Sequence, residues 1–132
     1  MEITPLALEL CTKGKNFASI ATTMKDGSPQ ASVTWIDSDG SNIIFNTAEG
    51  RLKTNNLRRD GRVALTIVDS DNPYRLVMIR GNVIEDTQEG ASEHIDQLAK
   101  KYLGVKKYPY SEPGEVRVIF KIQPEKIFEI NS

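Results

Sequence analysis

The sequence predicts a mainly β protein, an antiparallel barrel with flanking helices. Seven segments rich in β-branched and aromatic residues follow one another, mostly separated by short turns of Gly, Asp, Asn or Ser. The predicted helices do not alternate with these strands, as the crossovers of a parallel sheet would require. A length of 132 residues suits one domain with one core, so residues 1–132 are expected to form a single unit.

The chain begins with a predicted helix and the first strand. Thr4 is a suitable helix cap, Pro5 suits the first helical turn, and apolar residues at helical spacing continue to Gly14. A strand is predicted over residues 17–24. The sequence Asp26-Gly27 follows it and indicates a hairpin turn.

The second strand, predicted over residues 30–37, has two different faces. Ala31, Val33 and Trp35 alternate with the more polar set Ser32, Thr34 and Ile36. A turn at residues 38–41 and a third strand at residues 42–46 come next.

The second half continues the hairpin order and adds one clear helix. Strands are predicted over residues 62–69 and 74–86, with a turn at residues 69–73 and a bulge or bend at Gly81. An apolar stripe then predicts a helix that stops at Gly104, with Ala91, Ile95, Leu98, Ala99 and Tyr102 on one face.

The chain finishes with a loop at residues 105–114 and two further predicted strands. These strands cover residues 115–122 and 126–130, and Pro124 separates them because proline interrupts strand pairing.

The stretch from residue 45 to residue 57 carries the main functional signal. It runs from a strand through a turn at Gly50 into a helix whose start bears Arg51 and Lys53. Free backbone N–H groups and a positive dipole end, with two cations nearby, favour binding of a phosphate. The alternative is an ordinary solvated helix face that also includes Arg58 and Arg59, and Glu49 would repel an anion unless it points away.

Composition excludes several classes of function. A net charge of −1 provides no general attraction for nucleic acid or an anionic membrane, and neither is expected as a partner. One cysteine, Cys11, and one histidine, His94, cannot form a disulfide or a conventional zinc site, so no metal is expected. No membrane-spanning run or signal peptide is evident, which predicts a cytoplasmic protein.

The chain also lacks the usual equipment for protein-based catalysis. No catalytic triad, phosphate-binding Gly-rich loop or dinucleotide fingerprint is present, and no catalytic residue can be named. His94, on an amphipathic helix, is expected to be a helix-surface or interface residue rather than a general base. Any difficult chemistry would therefore require a bound cofactor.

Two groups of motifs resemble a known family. The first resembles the pyridoxamine 5′-phosphate oxidase-like split-barrel superfamily: Gly27-Ser28-Pro29-Gln30 into Ser32-Val33-Thr34-Trp35, then Phe45-Asn46-Thr47 into Arg51-Leu52-Lys53 and Asn56-Leu57-Arg58-Arg59-Asp60. The second resembles its deazaflavin (F420)-dependent oxidoreductase branch: Asp71-Asn72-Pro73-Tyr74-Arg75, Arg80-Gly81, Glu93-His94-Ile95-Asp96, Lys101-Tyr102-Leu103-Gly104 and Tyr108-Pro109. Together these motifs cover nearly the whole chain.

The resemblance implies a homodimer of six- or seven-stranded split barrels with cofactor sites at the dimer interface. It places Ser32, Val33, Thr34 and Trp35 beside the cofactor ring, although Trp35 is equally suited to the core. It places the cofactor phosphate near Thr47, Arg51, Lys53 and Asn56. Two of these residues, Arg51 and Lys53, are also the cations that favour phosphate binding on local grounds. Arg75 and Arg80 would reach the site from the second chain, or form cross-strand ion pairs instead.

The resemblance also implies the activity, with three alternatives. The first is hydride transfer from reduced F420 to a small conjugated or quinone-like substrate. The second is the same class of oxidoreductase with FMN, and the third is a cofactor-binding protein without turnover. The acidic tail of F420 would require further cations, for which Arg58, Arg75, Lys106 and Lys107 are candidates. Vitamin B6 oxidation is not expected, because the C-terminal substrate-phosphate segment of that enzyme has no recognisable counterpart.

Overall fold

A computed structural model describes residues 1–132 as seven strands and three helices. The strands are β1 (Phe17–Thr23), β2 (Pro29–Trp35), β3 (Asp37–Ser38), β4 (Ile43–Ala48), β5 (Arg62–Asp69), β6 (Asn72–Thr87) and β7 (Arg117–Asn131), and the helices are α1 (Pro5–Thr12), α2 (Leu52–Arg59) and α3 (Ala91–Leu103). All strand pairs are antiparallel, which confirms the predicted fold class. No helix has both the length and the apolar character needed to cross a membrane.

The sheet curls so that its two edges meet. The strand order is β2-β1-β5-β6-β7-β4-β3, which puts β2 and β3 at opposite ends. Only Ile36 separates these two strands in sequence, and neighbouring Cα atoms are about 3.8 Å apart. The edges must therefore lie side by side at this point without pairing along their length, as in a split barrel.

The main core fills the inside of this curved sheet. It is a cluster of eighteen buried residues from α1, α2 and the strands, with Phe45 of β4 and Phe120 of β7 stacked at 5.3 Å between ring centroids. Full burial of one such side chain contributes about 1.5–3 kcal/mol. Packing of this core fixes the positions of the end of β4 and the start of β7, which lie beside the pocket.

The predicted local signals are confirmed in several places. The Thr4 hydroxyl accepts a hydrogen bond from the backbone N–H of Ala7 and caps α1. Every residue of the apolar stripe on α3 is buried, and this helix ends at Gly104 with φ 72°. A Cβ at Gly81 would lie 2.4 Å from the carbonyl oxygen of Gln123, so the predicted bulge there requires glycine.

The prediction of two final strands was wrong. They form one continuous strand, β7, that passes through Pro124. The register shifts at this point, so that Gly81 pairs with Pro124 and Arg80 with Lys126, which leaves Glu125 as an extra residue. The bulge tolerates a residue without an N–H donor, which explains why proline does not end the strand.

The strand predicted over residues 30–37 was also wrong in one respect, because it breaks at Ile36. The N–H of Ile36 donates to the hydroxyl of Tyr102 at 3.1 Å, and its carbonyl accepts from Nζ of Lys101 at 2.8 Å. Two side chains of α3 thus take the backbone groups that would continue the strand. The short strand β3 then pairs with β4 on the other edge.

Candidate functional site

An open pocket of about 210 Å³ lies where β2, β4 and the start of β7 meet α2, α3 and the loop at residues 104–116. It has a cationic end and an aromatic wall. The lining residues are Phe17, Val33, Thr34, Trp35, Asn46, Arg51, Lys53, Ile95, Tyr108, Tyr110 and Arg117.

The cationic end is formed by Arg51, Lys53 and Arg117. Arg51 occupies the N-cap position of α2 without a side-chain capping hydrogen bond, Lys53 lies in the first turn, and Arg117 begins β7 opposite Ala48 of β4. A single carboxylate, that of Glu115, forms ion pairs with both arginines. Its Oε1 lies 3.2 Å from Nη2 of Arg51 and 2.7 Å from Nη1 of Arg117. Lys53 forms neither an ion pair nor a side-chain hydrogen bond, so the group carries excess positive charge.

The environment of Lys53 disfavours its own charge. Partial burial lowers its pKa below the ordinary lysine value, and the positive charges of Arg51 and Arg117 lower it further. A bound anion would remove both penalties by replacing lost hydration and screening the repulsion. The arrangement is therefore suited to a phosphate, which accepts charge-assisted hydrogen bonds from such groups.

Glu49 does not weaken this site. Its carboxylate is bound by the Arg58 guanidinium and by the amide of Gln88, and Arg58 also contacts Asp86 at 3.0 Å. These residues do not line the pocket. The negative charge of Glu49 is thus neutralised outside the pocket by Arg58. In the sequence, Arg58 belongs to the same basic stretch as Lys53.

Aromatic side chains form the wall beside β2. Trp35 is half-buried and stacks on Tyr102 at 5.0 Å between centroids, while Tyr108 meets it edge-on at 5.8 Å. Tyr110 extends the wall from Tyr108, and the guanidinium of Arg117 lies 5.1 Å from the Tyr108 ring. Trp35 therefore packs against α3, as the core role requires, and also lines the pocket, while its contact with a cofactor ring stays a prediction.

A chain of polar side chains supports Arg117 from behind. The buried Asn46 accepts a hydrogen bond from Nε of Arg117 at 2.8 Å, and its amide nitrogen contacts Nδ1 of His94 at 3.1 Å. Nε2 of His94 lies 3.0 Å from Oδ2 of Asp37. Burial raises the pKa of Asp37, but hydrogen bonds from His94 and the N–H of Ser38 outweigh burial and lower it overall. His94 is therefore more deeply engaged than a helix-surface residue.

The structure brings together half of the residues predicted for the cofactor site. Val33, Thr34, Trp35, Arg51 and Lys53 line one pocket. Six further lining residues were not predicted: Phe17, Asn46, Ile95, Tyr108, Tyr110 and Arg117.

Three predicted residues lie close to the pocket but not in its lining. Ser32 pairs with the core residue Ile20, so its side chain faces the barrel, where its hydroxyl is buried without a hydrogen-bond partner. Thr47 is buried and its hydroxyl contacts that of Thr54 at 3.2 Å, which ties β4 to α2. Asn56 is also buried.

The partners of Asn56 show which way it faces. Its amide nitrogen donates to the hydroxyl of Thr22 at 3.1 Å, and its oxygen accepts from Nη2 of Arg59 at 2.8 Å. Asn56 thus holds α2 against β1 and does not line the pocket.

Arg75 and Arg80 lie on β6, away from this pocket within the chain. Arg75 forms ion pairs with Glu9 at 2.6 Å and Asp69 at 3.0 Å, one of the two roles considered for it. Arg80 is exposed, forms no ion pair, and lines a second groove with Lys126.

The fold is a split barrel, and its pocket combines a group of cations with an aromatic wall. The family model described as pyridoxamine 5′-phosphate oxidase matches residues 5–131, and the chain belongs to this family. The family resemblance stated from the sequence is thereby confirmed. Proteins of this family bind flavin-type cofactors.

Solved structures that share this fold include a reductase, a stress protein and a heme storage protein. An F420 reductase is 26% identical, with a TM-score of 0.79 over 95% of this chain and 98% of that one. General Stress Protein 26 from Bacillus anthracis is 14% identical, with a TM-score of 0.67 over 93% and 90%. HutZ, a heme storage protein from Vibrio cholerae, is 16% identical, with a TM-score of 0.64 over 98% and 96%. No curated protein matches the sequence significantly.

Proposed function

We propose that this protein is an F420-dependent oxidoreductase that reduces a small conjugated or quinone-like substrate. The observation that carries the proposal is the cationic end of the pocket, where Arg51, Lys53 and Arg117 share one carboxylate beside an aromatic wall. The likeness to an F420 reductase at 26% identity supports this choice of cofactor within the family.

The residues of the pocket fit the two chemical parts of such a cofactor. Lys53, Arg51 and Arg117 would hold the phosphate, and the edge of β2 at Val33–Trp35 would lie along the ring. When bound, reduced F420 supplies a hydride for transfer to an electron-poor substrate. Trp35 and Tyr108 would limit water beside the ring and restrict the positions available to the substrate, which favours productive orientation.

The pocket offers few groups for proton transfer. Its lining contains no carboxylate, histidine or thiol. The buried thiol of Cys11 is not available either, because burial raises its pKa to about 12. The proton donors in the lining are Lys53, whose pKa is lowered, and the phenols of Tyr108 and Tyr110, so we infer that the reduced product takes its proton from one of these groups or from solvent.

The dimensions of the pocket support a site shared between two chains. A volume of about 210 Å³ falls below the roughly 300–1,000 Å³ typical of pockets that enclose a cofactor-sized ligand. The side chains of Phe17 and Val33 on its rim are more than half exposed. One chain would thus supply only part of the enclosure.

A row of outward-facing side chains crosses the sheet from this rim and includes three exposed apolar residues. The strand registers place Val33, Ser19, Thr66, Met78 and Phe128 in this row across five strands. Val33 is 64% exposed, Met78 41% and Phe128 55%, and the small polar Ser19 and Thr66 lie between Val33 and Met78. Large exposed apolar side chains among small polar ones suit a protein interface, and we propose that a second copy of the chain covers this row.

FMN is the second candidate cofactor, because it also combines a tricyclic ring with a phosphate. The acidic tail of F420 is the distinguishing feature, and it needs cations that are not already neutralised. Arg58 and Arg75 are held by carboxylates, whereas Lys106 and Lys107 on the loop beside the pocket are exposed and form no ion pairs. These two lysines are the better candidates for the tail.

A heme-binding role is less well supported by the side chains. His94 is the only histidine, and both of its ring nitrogens are occupied by Asn46 and Asp37. Axial ligation through His94 would have to break at least one of these contacts.

The experiment is a fluorescence titration of the cofactor-free protein with F420 and with FMN, at low and high salt. We expect tighter binding of F420 and a steeper loss of its affinity with salt, because more charges are involved. Binding of neither would overturn the phosphate site, and a preference for FMN would replace F420 as the cofactor. Turnover of quinones and enones by the loaded protein then separates an enzyme from a cofactor-binding protein.

The dimer is tested by sedimentation of the wild type and of a Met78→Glu variant. We expect a dimer that the buried charge disrupts. A monomeric wild type at micromolar concentration would contradict the shared site.

A further inference from the structure

His94 and Asn46 form a hydrogen-bond arrangement that permits only one orientation of each side chain. The amide nitrogen of Asn46 contacts the carbonyl oxygen of Ala91 at 2.9 Å and Nδ1 of His94 at 3.1 Å, and its oxygen faces Nε of Arg117 at 2.8 Å. A reversed amide would place its oxygen against the carbonyl of Ala91 and its N–H₂ group against the Nε–H of Arg117. Both contacts would be repulsive, so the orientation of Asn46 is fixed.

The fixed amide determines where the imidazole carries its hydrogen. Both hydrogens of the Asn46 amide are donated, one of them to Nδ1 of His94, so Nδ1 must be an unprotonated acceptor. Nε2 then carries the hydrogen and donates it to Oδ2 of Asp37 at 3.0 Å. The carboxylate of Asp37 is a suitable acceptor because it also receives the N–H of Ser38 and remains ionised.

We propose that His94 is a positioning residue for the phosphate site. Held by Asp37 as the neutral Nε2–H form, it fixes the Asn46 amide, and Asn46 in turn fixes the plane of the Arg117 guanidinium at the cationic end of the pocket. His94 itself does not line the pocket. This inference rests on the proposed function, because it assumes that a phosphate binds between Arg117 and Lys53.

Removal of His94 should change the orientation of the Arg117 guanidinium without removing its positive charge from the site. Loss of His94 leaves one buried hydrogen of Asn46 without a partner and removes a contact on one side of the amide. Asn46 keeps its orientation through Ala91 and Arg117, but it can shift in the space left by the imidazole and lengthen its hydrogen bond to Arg117. The ion pair with Glu115 at 2.7 Å still holds the guanidinium near the pocket. The affinity for phosphate should therefore fall while the number of charges at the site, and hence the salt dependence of binding, stays the same.

The first test is the protonation state of His94, which can be read without interference because the chain has one histidine. A long-range ¹H–¹⁵N spectrum of the ¹⁵N-labelled protein at mildly alkaline pH should show the ring hydrogen on Nε2 and none on Nδ1. An Asn46→Ala variant should keep this form, because the carboxylate of Asp37 still accepts the Nε2 hydrogen, whereas the double variant Asn46→Ala with Asp37→Ala should show a mixture of the two forms. A wild-type ring that carries its hydrogen on Nδ1, or exchanges between forms, would overturn the inference.

The second test is binding of FMN and F420 to His94→Ala and His94→Gln. The first variant should bind roughly tenfold more weakly with an unchanged salt slope, because a buried amide donor loses its partner. Glutamine offers one acceptor and one donor, so His94→Gln should recover most of the affinity. Gln97→Ala, an exposed position on the same helix, is the matched control, and thermal unfolding checks that each variant is folded.

The outcomes distinguish this inference from the proposed function. If Lys53→Ala leaves binding of both cofactors unchanged, the phosphate site is wrong, and with it the role of His94 in binding. If Lys53→Ala weakens binding but His94→Ala does not, the phosphate site stands and the positioning role is wrong. Equal loss in His94→Ala and His94→Gln would also contradict the role, since the hydrogen bonds would then not matter.

Discussion

Two groups of cations close together in this chain have opposite surroundings. On one side of α2, Arg58 is bound by Glu49 and Asp86, so its charge is fully compensated. On the other side, Arg51, Lys53 and Arg117 have only Glu115 among them. The ion pairs of Arg58 join α2 to Glu49 and to Asp86 of β6. The second group instead leaves uncompensated positive charge in the lining of a pocket. Proximity in sequence therefore does not reveal which basic residues keep uncompensated charge, but the count of nearby carboxylates does.

The largest effect should come from Arg117→Ala, which removes a buried member of the uncompensated group. The side chains of Arg117 and Glu115 are only 6% and 9% exposed, so the loss leaves Glu115 with only the exposed Arg51 as a partner and the buried oxygen of Asn46 without its donor. Breaking a buried ion pair typically costs about 3–5 kcal/mol of stability, and the remaining contact with Arg51 places the expected loss at the low end of this range. Denaturant unfolding measures this loss, and FMN titration should show binding at least roughly tenfold weaker. Arg117→Lys keeps the charge and should recover part of the affinity, so equal loss in both variants would argue against a role of the charge.

The next effect should come from Lys53→Ala, which changes binding but not the fold. Lys53 forms no ion pair or side-chain hydrogen bond, so stability should be nearly unchanged. Loss of a charge-assisted contact to phosphate should cost about 1.5–3 kcal/mol, or roughly tenfold or more in affinity. Titration with FMN and F420 measures it, with the exposed Lys25→Ala as control. An unchanged dissociation constant would make the basic stretch an ordinary solvated helix face.

A smaller effect should appear in the pH dependence of binding. Because burial and two neighbouring cations lower the pKa of Lys53, it should lose its proton below the pH at which an ordinary lysine does. FMN affinity should fall as the pH rises through this lowered pKa. The stability of the free protein should rise over the same interval up to the unfolded pKa, because the unfolded state there binds more protons. Lys53→Arg should bind without this alkaline decline, and a decline that persists would assign it to another group.

The smallest effect should follow Arg58→Ala in the compensated group. Its ion pairs are partly exposed, so we expect a loss of stability of at most about 1 kcal/mol. FMN affinity should stay the same because Arg58 does not line the pocket. A loss of affinity as large as that of Lys53→Ala would remove the contrast between the two groups.

Comparison of Arg51 and Lys53 with Arg117 shows why only part of the site could be predicted. Arg51 and Lys53 are two residues apart at a helix start, so their proximity follows from local structure. Arg117 reaches them because β7 pairs with β4 in the register that puts it opposite Ala48. The motif that contains His94 was recognised, yet its contacts with Asp37 and Asn46 join residues more than forty positions apart.

The sequence by itself determined the features that depend on nearest neighbours. These include the cap at Thr4, the buried stripe of α3, the turn at Gly27 with φ 90° and the cationic start of α2. Each follows from a periodicity or a backbone preference that acts over a few residues.

Only the tertiary structure decided which distant side chains line the pocket and which bind other side chains of the fold instead. The pairing of β4 with β7 brought Arg117 to Lys53, and the packing of α3 on β2 brought Tyr102 to Trp35. It also directed Asn56 to Thr22 and Arg75 to Glu9 rather than to the pocket. The reason is that strand register and helix packing are set by burial of the whole core, and no local pattern encodes the partners that this burial selects.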